Sequence, residues 1–370
     1  MPNAIAAFPW VQCRELIEIG PVRILPYEHG RLPGNLPDAT QTDIDAVLGA
    51  YANRPNHPVT RASLLEVGDW HTGVEVDAHV RTLFLTRQAI GFSALSKRSL
   101  FRGHFDYCNY DTYSLVVQRY QQGSNAGMFS FNTRRRDGST GHMWSSDEFA
   151  FHRPNHVDGR AKFDLDRPLL EALLTLGDAA PALLEAMREF NSANTDSSDV
   201  PQHVELVMVK SAFEWLLEID TSVGRFVEAL GARLATVLGI PIAEGPLCDR
   251  WRTRWPKVQR PLEAWARDFC DVRGAAAHGS RDAATRFVWP GHTHLAFAAI
   301  FFPLVFKKRL ADEGLFTLDD ADRARLEGIE QLLMVDPFSA DALKDEYSHP
   351  WAEFQTQALF RGYAARLYSE

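Results

Sequence analysis

The chain has 370 residues, 45% hydrophobic and 24% charged, with a formal net charge of −9. Such a length suggests two or three domains with ample chain to bury a core, and the composition is that of an ordinary globular protein without low-complexity tracts. The acidic balance argues against a protein that coats nucleic acid indiscriminately.

The opening "MPNAIAAFPWVQCRELIEIG" lacks a basic segment followed by an apolar one, so it does not read as a secretory signal. The longest apolar run, "LAFAAIFFPLVF" (Leu295–Phe306), is too short to span a bilayer and contains Pro303, so a buried helix and no membrane partner are expected. Cys13, Cys108, Cys248 and Cys270 are scattered without a CxxC pair or zinc-like spacing. A reducing, cytoplasmic setting with no bound metal and no cofactor is expected from that usage.

Residues 1 to about 160 read as β-rich. "VRIL" (Val22–Leu25), "RTLFLT" (Arg81–Thr86), "YSLVVQRY" (Tyr113–Tyr120), "GMFSFNT" (Gly127–Thr133) and "DEFAFHR" (Asp147–Arg153) are short β-branched and aromatic runs. The Asp-Gly pair in "RRRDGSTGH" predicts a hairpin turn between two of them. "RLPGNLPDATQTD" reads as a loop whose end caps a short helix through "IDAVLGAYA".

From about residue 165 the pattern becomes helical. Leu169, Leu170, Leu173 and Leu174 precede a break at Gly177 and Asp178, and Pro181 suits the first turn of the next helix. Leu206, Val209, Phe213 and Leu216, then Phe226, Leu230, Leu234 and Val237, follow at steps of three and four. Further helices are predicted over about 261–278, 294–313 and a tail over 318–368. The expected fold class is α+β: a β-rich N-terminal domain (1–160) that senses or positions something, then an all-α domain (165–370).

One stretch joins two chemically distinct side chains across almost nothing. "FCDVRGAAAHGS" (Phe269–Ser280) sets Arg273 and His278 either side of Gly274, Ala275, Ala276 and Ala277. Positions five apart on a helix differ by roughly 140° around its axis, so the two flank the small-residue stripe and do not stack. Such a stripe lets a second backbone approach closely, and two of these helices crossing on a two-fold axis would bring each Arg near the other chain's His. Gly279 is expected just past the helix end, with His278 in the last turn, where the helix dipole favours its protonated form. Around it lies a basic island, nine Lys/Arg against five Asp/Glu between Asp249 and Arg286. An Arg fork beside a poised His suits metal-free RNA cleavage, in which a 2′-hydroxyl attacks its own phosphodiester and positive charge stabilises the transition state. The plainer reading is a helix end with a solvated Arg and a His that caps carbonyls.

The R-x4-H spelling with its trailing Gly resembles the motif of the HEPN superfamily. Upstream, "LLEAMREFNSANTDSSDVPQHVELVMVKSAFEWLLEI" resembles the Apea-like branch, with its "F-n-x-A-n" segment and an "A-x-E-x-L" element (Ala212, Glu214, Leu216). The resemblance covers roughly residues 165–310. It implies a helical bundle, a homodimer with a composite site, metal-independent endoribonuclease activity, and a role in antiphage defence or as a toxin, with tRNA among the possible substrates. Arg273 would then orient and neutralise the scissile phosphate, and His278 would act as general acid/base. Gly274 departs from the polar residue, often Asn or Asp, common after the Arg in active members, and so points to the alternative of an inactive dimer that binds RNA, nucleotide or a protein partner. A glycine inside a helix costs about 1 kcal/mol against Ala, so a close contact is expected there.

Arg254, Arg267 and Arg281 are the expected RNA contacts, Arg267 extending a phosphate track from Arg273. "RWRTRWPK" (Arg250–Lys257) interleaves cations with Trp251 and Trp255, which suits either RNA contact or a buried Trp face. The run Arg134–Arg136, with Phe129, Phe131 and Trp144 nearby, suits a solvated hairpin tip or an RNA contact. Glu214 is expected to be structural, holding a backbone or Arg partner. His292 and His294 would bind a metal if they shared a loop, though no third ligand is evident nearby.

Overall fold

The structure, a computed structural model, describes residues 3–31, 38–68, 73, 76–77, 79–102, 107–121, 129–145, 151–241, 244, 246–278, 287–344 and 348–367. It is α+β, with strands concentrated in the N-terminal half and helices after it. Two compact units make up the chain: Met1–Ala94 with Cys108–Thr175, and Leu95–Tyr107 with Leu176–Glu370. Residues Leu95–Tyr107 fall in the helical unit because their polar groups are used there. Arg98 donates to Asn194 at 2.6 Å, and the Gln355 side chain donates to the Leu100 carbonyl at 3.3 Å.

The first unit carries an antiparallel seven-stranded sheet ordered β2-β3-β6-β1-β7-β8-β9. Its strands are β1 (Asn3–Phe8), β2 (Ile17–Ile19), β3 (Val22–Glu28), β6 (Arg61–Val67), β7 (Val116–Tyr120), β8 (Phe129–Arg134) and β9 (Thr140–Ser145). A smaller sheet joins β4 (Tyr51–Arg54), β5 (His57–Pro58) and β10 (Phe151–His152), with β10 parallel to β4. Helix α1 (Asp38–Gly49) lays Ile44, Val47 and Leu48, spaced at three and four, against Ile5, Leu25 and Leu64.

The hairpin signal is realised. β8 and β9 are joined at Arg135–Ser139, where Asp137 Oδ1 accepts from the Ser139 N–H and hydroxyl and Gly138 takes φ +80°. Arg135 and Arg136 are exposed at its tip. The side chains of Arg134, Phe129, Phe131 and Trp144 lie outside the described residues.

Two departures from the sequence reading have physical causes. "RTLFLT" is not a strand: it begins α2 (Val80–Lys97), in which Leu83, Ile90 and Phe92 are fully buried. Local β propensity yields there to an eighteen-residue helix whose second half is buried on every side. Gly91 lets that helix approach Tyr110, since a Cβ would lie 2.5 Å from the ring. Strand β1 escaped notice because Ala4 through Phe8 are all fully buried, so a central strand shows no alternation.

The second unit is helical. It holds α4 (Pro181–Ser192), α5 (Gln202–Leu217), α6 (Val223–Leu234), α7 (Pro246–Arg254), α8 (Pro261–Ala277), α9 (Gly291–Asp312), α10 (Asp320–Gly328) and α11 (Pro350–Leu367), after α3 (Arg167–Leu176). Phe213 of α5 sits at its aromatic centre, against Phe226, Trp265, Phe301 and Phe302 at ring-centroid distances of 5.0–6.1 Å. The long apolar run forms the buried middle of α9, and no described helix is long and apolar enough to cross a membrane.

Candidate functional site

Helix α8 begins as its sequence requires. Pro261 occupies the first turn, where its missing N–H costs nothing. Arg260 just before it is clasped by Glu330 at 2.8 Å and by the Gly239 carbonyl at 2.8 Å, while Glu330 also accepts the Leu262 N–H at 3.1 Å. Leu262, Trp265, Phe269 and Val272, at steps of three and four, form the buried face.

On that same face lies a carboxylate. Asp268 is fully buried, and its Oδ2 accepts the N–H groups of Val288 and Trp289, both at 3.0 Å, and faces His294 Nε2 at 3.2 Å. Arg254 Nη1 stands 3.6 Å from the other Asp268 oxygen, and its Nη2 pairs with Asp271. Asp268 therefore fixes the chain entering α9, as a buried anion must be held by donors.

The far end of α8 is built differently. The helix ends at Ala277, with His278 as the C-cap residue, its side chain exposed and its N–H donating to the Gly274 carbonyl at 3.1 Å. Arg273 is half-buried; its Nε is buried with no hydrogen-bond partner, and it forms no ion pair among the described residues. A Cβ on Gly274 would meet nothing within 4 Å among the described residues, so the close contact expected at this glycine is not made by them. Ala275 and Ala276 are half-buried and Ala277 is exposed, leaving the small-residue stripe largely uncovered.

Beside this end, Lys210 and Glu214 of α5 pair at 2.7 Å, with the Lys210 ammonium 4.3 Å from the centre of the Phe226 ring. Glu214 is structural, then, but its partner is the lysine one turn earlier and not an arginine. Burial pushes the Cys270 thiol up to about 11, with Lys210 and Arg273 pulling it down and Asp271 and Glu214 pushing it up. A thiol so placed is neutral at physiological pH and no nucleophile.

Two of the other expected cations, Arg254 and Arg267, are engaged internally. Arg267 pairs with Glu263 one turn back at 2.9 Å. Arg254, beyond its carboxylates, lies 4.7 Å from the centre of the Trp255 ring, and Trp251 is fully buried, so this segment has the buried Trp face. Arg281 lies outside the described residues, as does Gly279. No model of a protein family, no curated protein and no solved structure matches the chain.

The metal reading of His292 and His294 is corrected. The two lie in the first turn of α9 and not in a loop, about 200° apart around its axis. His294 is interior and committed to Asp268, whereas His292 is exposed and edge-on to Phe338 at 4.6 Å. Among the described residues no three His, Cys, Asp or Glu side chains are grouped to hold a metal ion. In the "F-n-x-A-n" segment, Phe190 stacks on Phe302 at 4.5 Å, and Asn194 donates to the Phe190 carbonyl while accepting from Arg98.

Sequence reasoning missed Asp268 and Lys210. Both left a signal: each falls on an otherwise apolar helical face, where a charge must find a partner. Chemically, the α8 end offers a guanidinium that has no carboxylate among the described residues and an exposed imidazole on one short length of helix. The first can hold a phosphate oxygen and the second can exchange a proton.

Proposed function

We propose that the chain is a metal-independent endoribonuclease of HEPN type, acting as a cytoplasmic homodimer in antiphage defence or a toxin-like role. The observation that carries this reading is the state of Arg273. Arg254, Arg260 and Arg267 are each bound to a carboxylate, while Arg273 has none among the described residues and its Nε is buried without a partner among them. A buried donor left unpaired costs about 1–3 kcal/mol, which an incoming phosphate would recover.

In this reading two α8 ends meet along the Gly274–Ala277 stripe, and the guanidinium and imidazole of each subunit converge on one phosphate. Arg273 holds the non-bridging oxygens and offsets the charge that grows on them. His278 takes the proton of the 2′-hydroxyl or returns one to the leaving 5′-oxygen. The open space over Gly274 suits this packing, because the contact that offsets the glycine comes from the second subunit. The N-terminal unit senses or positions, and a structured RNA such as tRNA is the substrate.

A second reading rests on Gly274 itself. An R-x4-H site lacking the usual polar residue after its Arg would bind RNA, nucleotide or a protein partner without cutting. Incubating the full chain with total RNA in EDTA separates the two. Discrete fragments ending in 2′,3′-cyclic phosphate are expected from the nuclease, whereas intact RNA retained by the protein would replace it with the silent dimer.

A further inference from the structure

The helical unit contains a cavity of about 320 Å³ to which α8 contributes no residue. Its walls come from Arg98, Leu100, Phe101 and Tyr107, from the stretch joining α4 to α5 with the start of α5, from one face of α9, and from Phe338. That volume is at the small end for ligand sites, enough for one ring and a short chain. Phe101 and Phe338 touch edge to face at 5.5 Å and line it together, with Ala296 and Ala299 on the α9 side. Phe101 is held rigidly by a stacked His349 ring at 4.1 Å and by Trp351 edge-on at 5.8 Å.

Two of the four non-glycine residues with positive φ among those described, Phe101 (63°) and Asp196 (56°), line this one cavity. For a bulky residue such as Phe that backbone is strained, and strain persists where surrounding structure enforces it, typically at binding and catalytic sites.

The polar lining is unevenly satisfied. Arg98 donates to Asn194 and lies 5.6 Å from the centre of the Tyr107 ring, and the Tyr107 hydroxyl donates to Asp196 at 2.6 Å. The Glu205 carboxyl makes no hydrogen bond or ion pair among the described residues. Burial, and then the Asp196 charge, push it up to about 7. A carboxylate in that position must either take a proton or find a cation.

We propose that this cavity binds a small organic cation, an ammonium carried on a flat aromatic body. Glu205 and Asp196 receive the charge, and Phe101, Tyr107 and Phe338 enclose the ring. Aromatic walls attract cations through their negative faces, adding to the carboxylate's pull. Arg98, already turned to Asn194 and Tyr107, frames the site and is not displaced. This binding does not depend on whether RNA is cut.

Calorimetric titration of the full chain with phenethylamine tests it, with 2-phenylethanol as the uncharged counterpart. At pH 8 phenethylamine should bind at least tenfold more tightly than the alcohol. Glu205→Gln should weaken it at least tenfold, and Ala299→Leu, which fills the cavity and touches no charge, should also weaken it. Below about pH 7 Glu205 must first lose its proton, so affinity should fall as pH drops, by up to tenfold per unit. Among the described residues Asp196, Tyr107 and Arg98 are the other ionisable groups lining the cavity, and Glu205→Gln should flatten the profile if Glu205 alone governs it. Equal binding of amine and alcohol, no binding of the amine, or unchanged amine affinity in Glu205→Gln would each overturn the proposal. If the Gln variant fails to fold, undiminished amine affinity in Ala299→Leu would do so.

Discussion

At the start of α8, Arg260 is gripped by Glu330 and by the Gly239 carbonyl, and Glu330 reaches on to the Leu262 N–H. At its end, Arg273 has no carboxylate among the described residues, Gly274 meets nothing, and His278 stands exposed. One helix thus carries two cations of the same kind in opposite circumstances. The contrast separates charge used for folding from charge kept available. The first is recognised by a partner whose loss would strand it, the second by a donor that the fold leaves unused.

Mutations can break that contrast or sharpen it. The largest loss is expected inside α8, at Asp268, which is fully buried and holds two backbone N–H groups. Asp268→Ala should cost about 3–5 kcal/mol in urea unfolding, because it strands those donors and the facing His294. A loss near zero would mean the α8–α9 junction is held by other contacts. Glu330→Gln comes next. It keeps the shape but weakens the clasp on Arg260, whose side chain is 30% exposed, so about 1–2 kcal/mol is expected by the same measurement. Smallest is the loss at Arg273→Ala, which removes a buried donor with no partner among the described residues and should leave stability unchanged or raise it by about 1–2 kcal/mol. Should Arg273→Ala destabilise as much as Glu330→Gln, the two helix ends would not differ and the available-charge reading would fail.

Much of this was legible in the chain. The α+β class, the Asp-Gly hairpin, Pro181 and Pro261 at helix starts and the apolar spacing of α5, α6 and α8 follow from local rules that the sequence displays openly. The bare stripe between Arg273 and His278 was equally visible. What stayed hidden depends on partners distant in sequence. Arg254 meets Asp271 across seventeen residues, His294 meets Asp268 across twenty-six, and Arg98 meets Asn194 across ninety-six. Arg254 and Arg267 were both expected to contact RNA; the pair of Arg267 with Glu263 one turn back lies open in the sequence, whereas only the fold shows Arg254 engaged by Asp271. The same distance in sequence hid the cavity beside Glu205, whose walls come from four separate parts of the chain.

The most direct test of the central claim is the rate of RNA cleavage by His278→Ala beside wild type, in EDTA, with the oligomeric state of both measured on the same samples. A loss of about 10²–10⁴-fold with the dimer intact is expected, the range that removing a general acid or base produces. Cleavage at the wild-type rate by a dimeric His278→Ala would contradict the account.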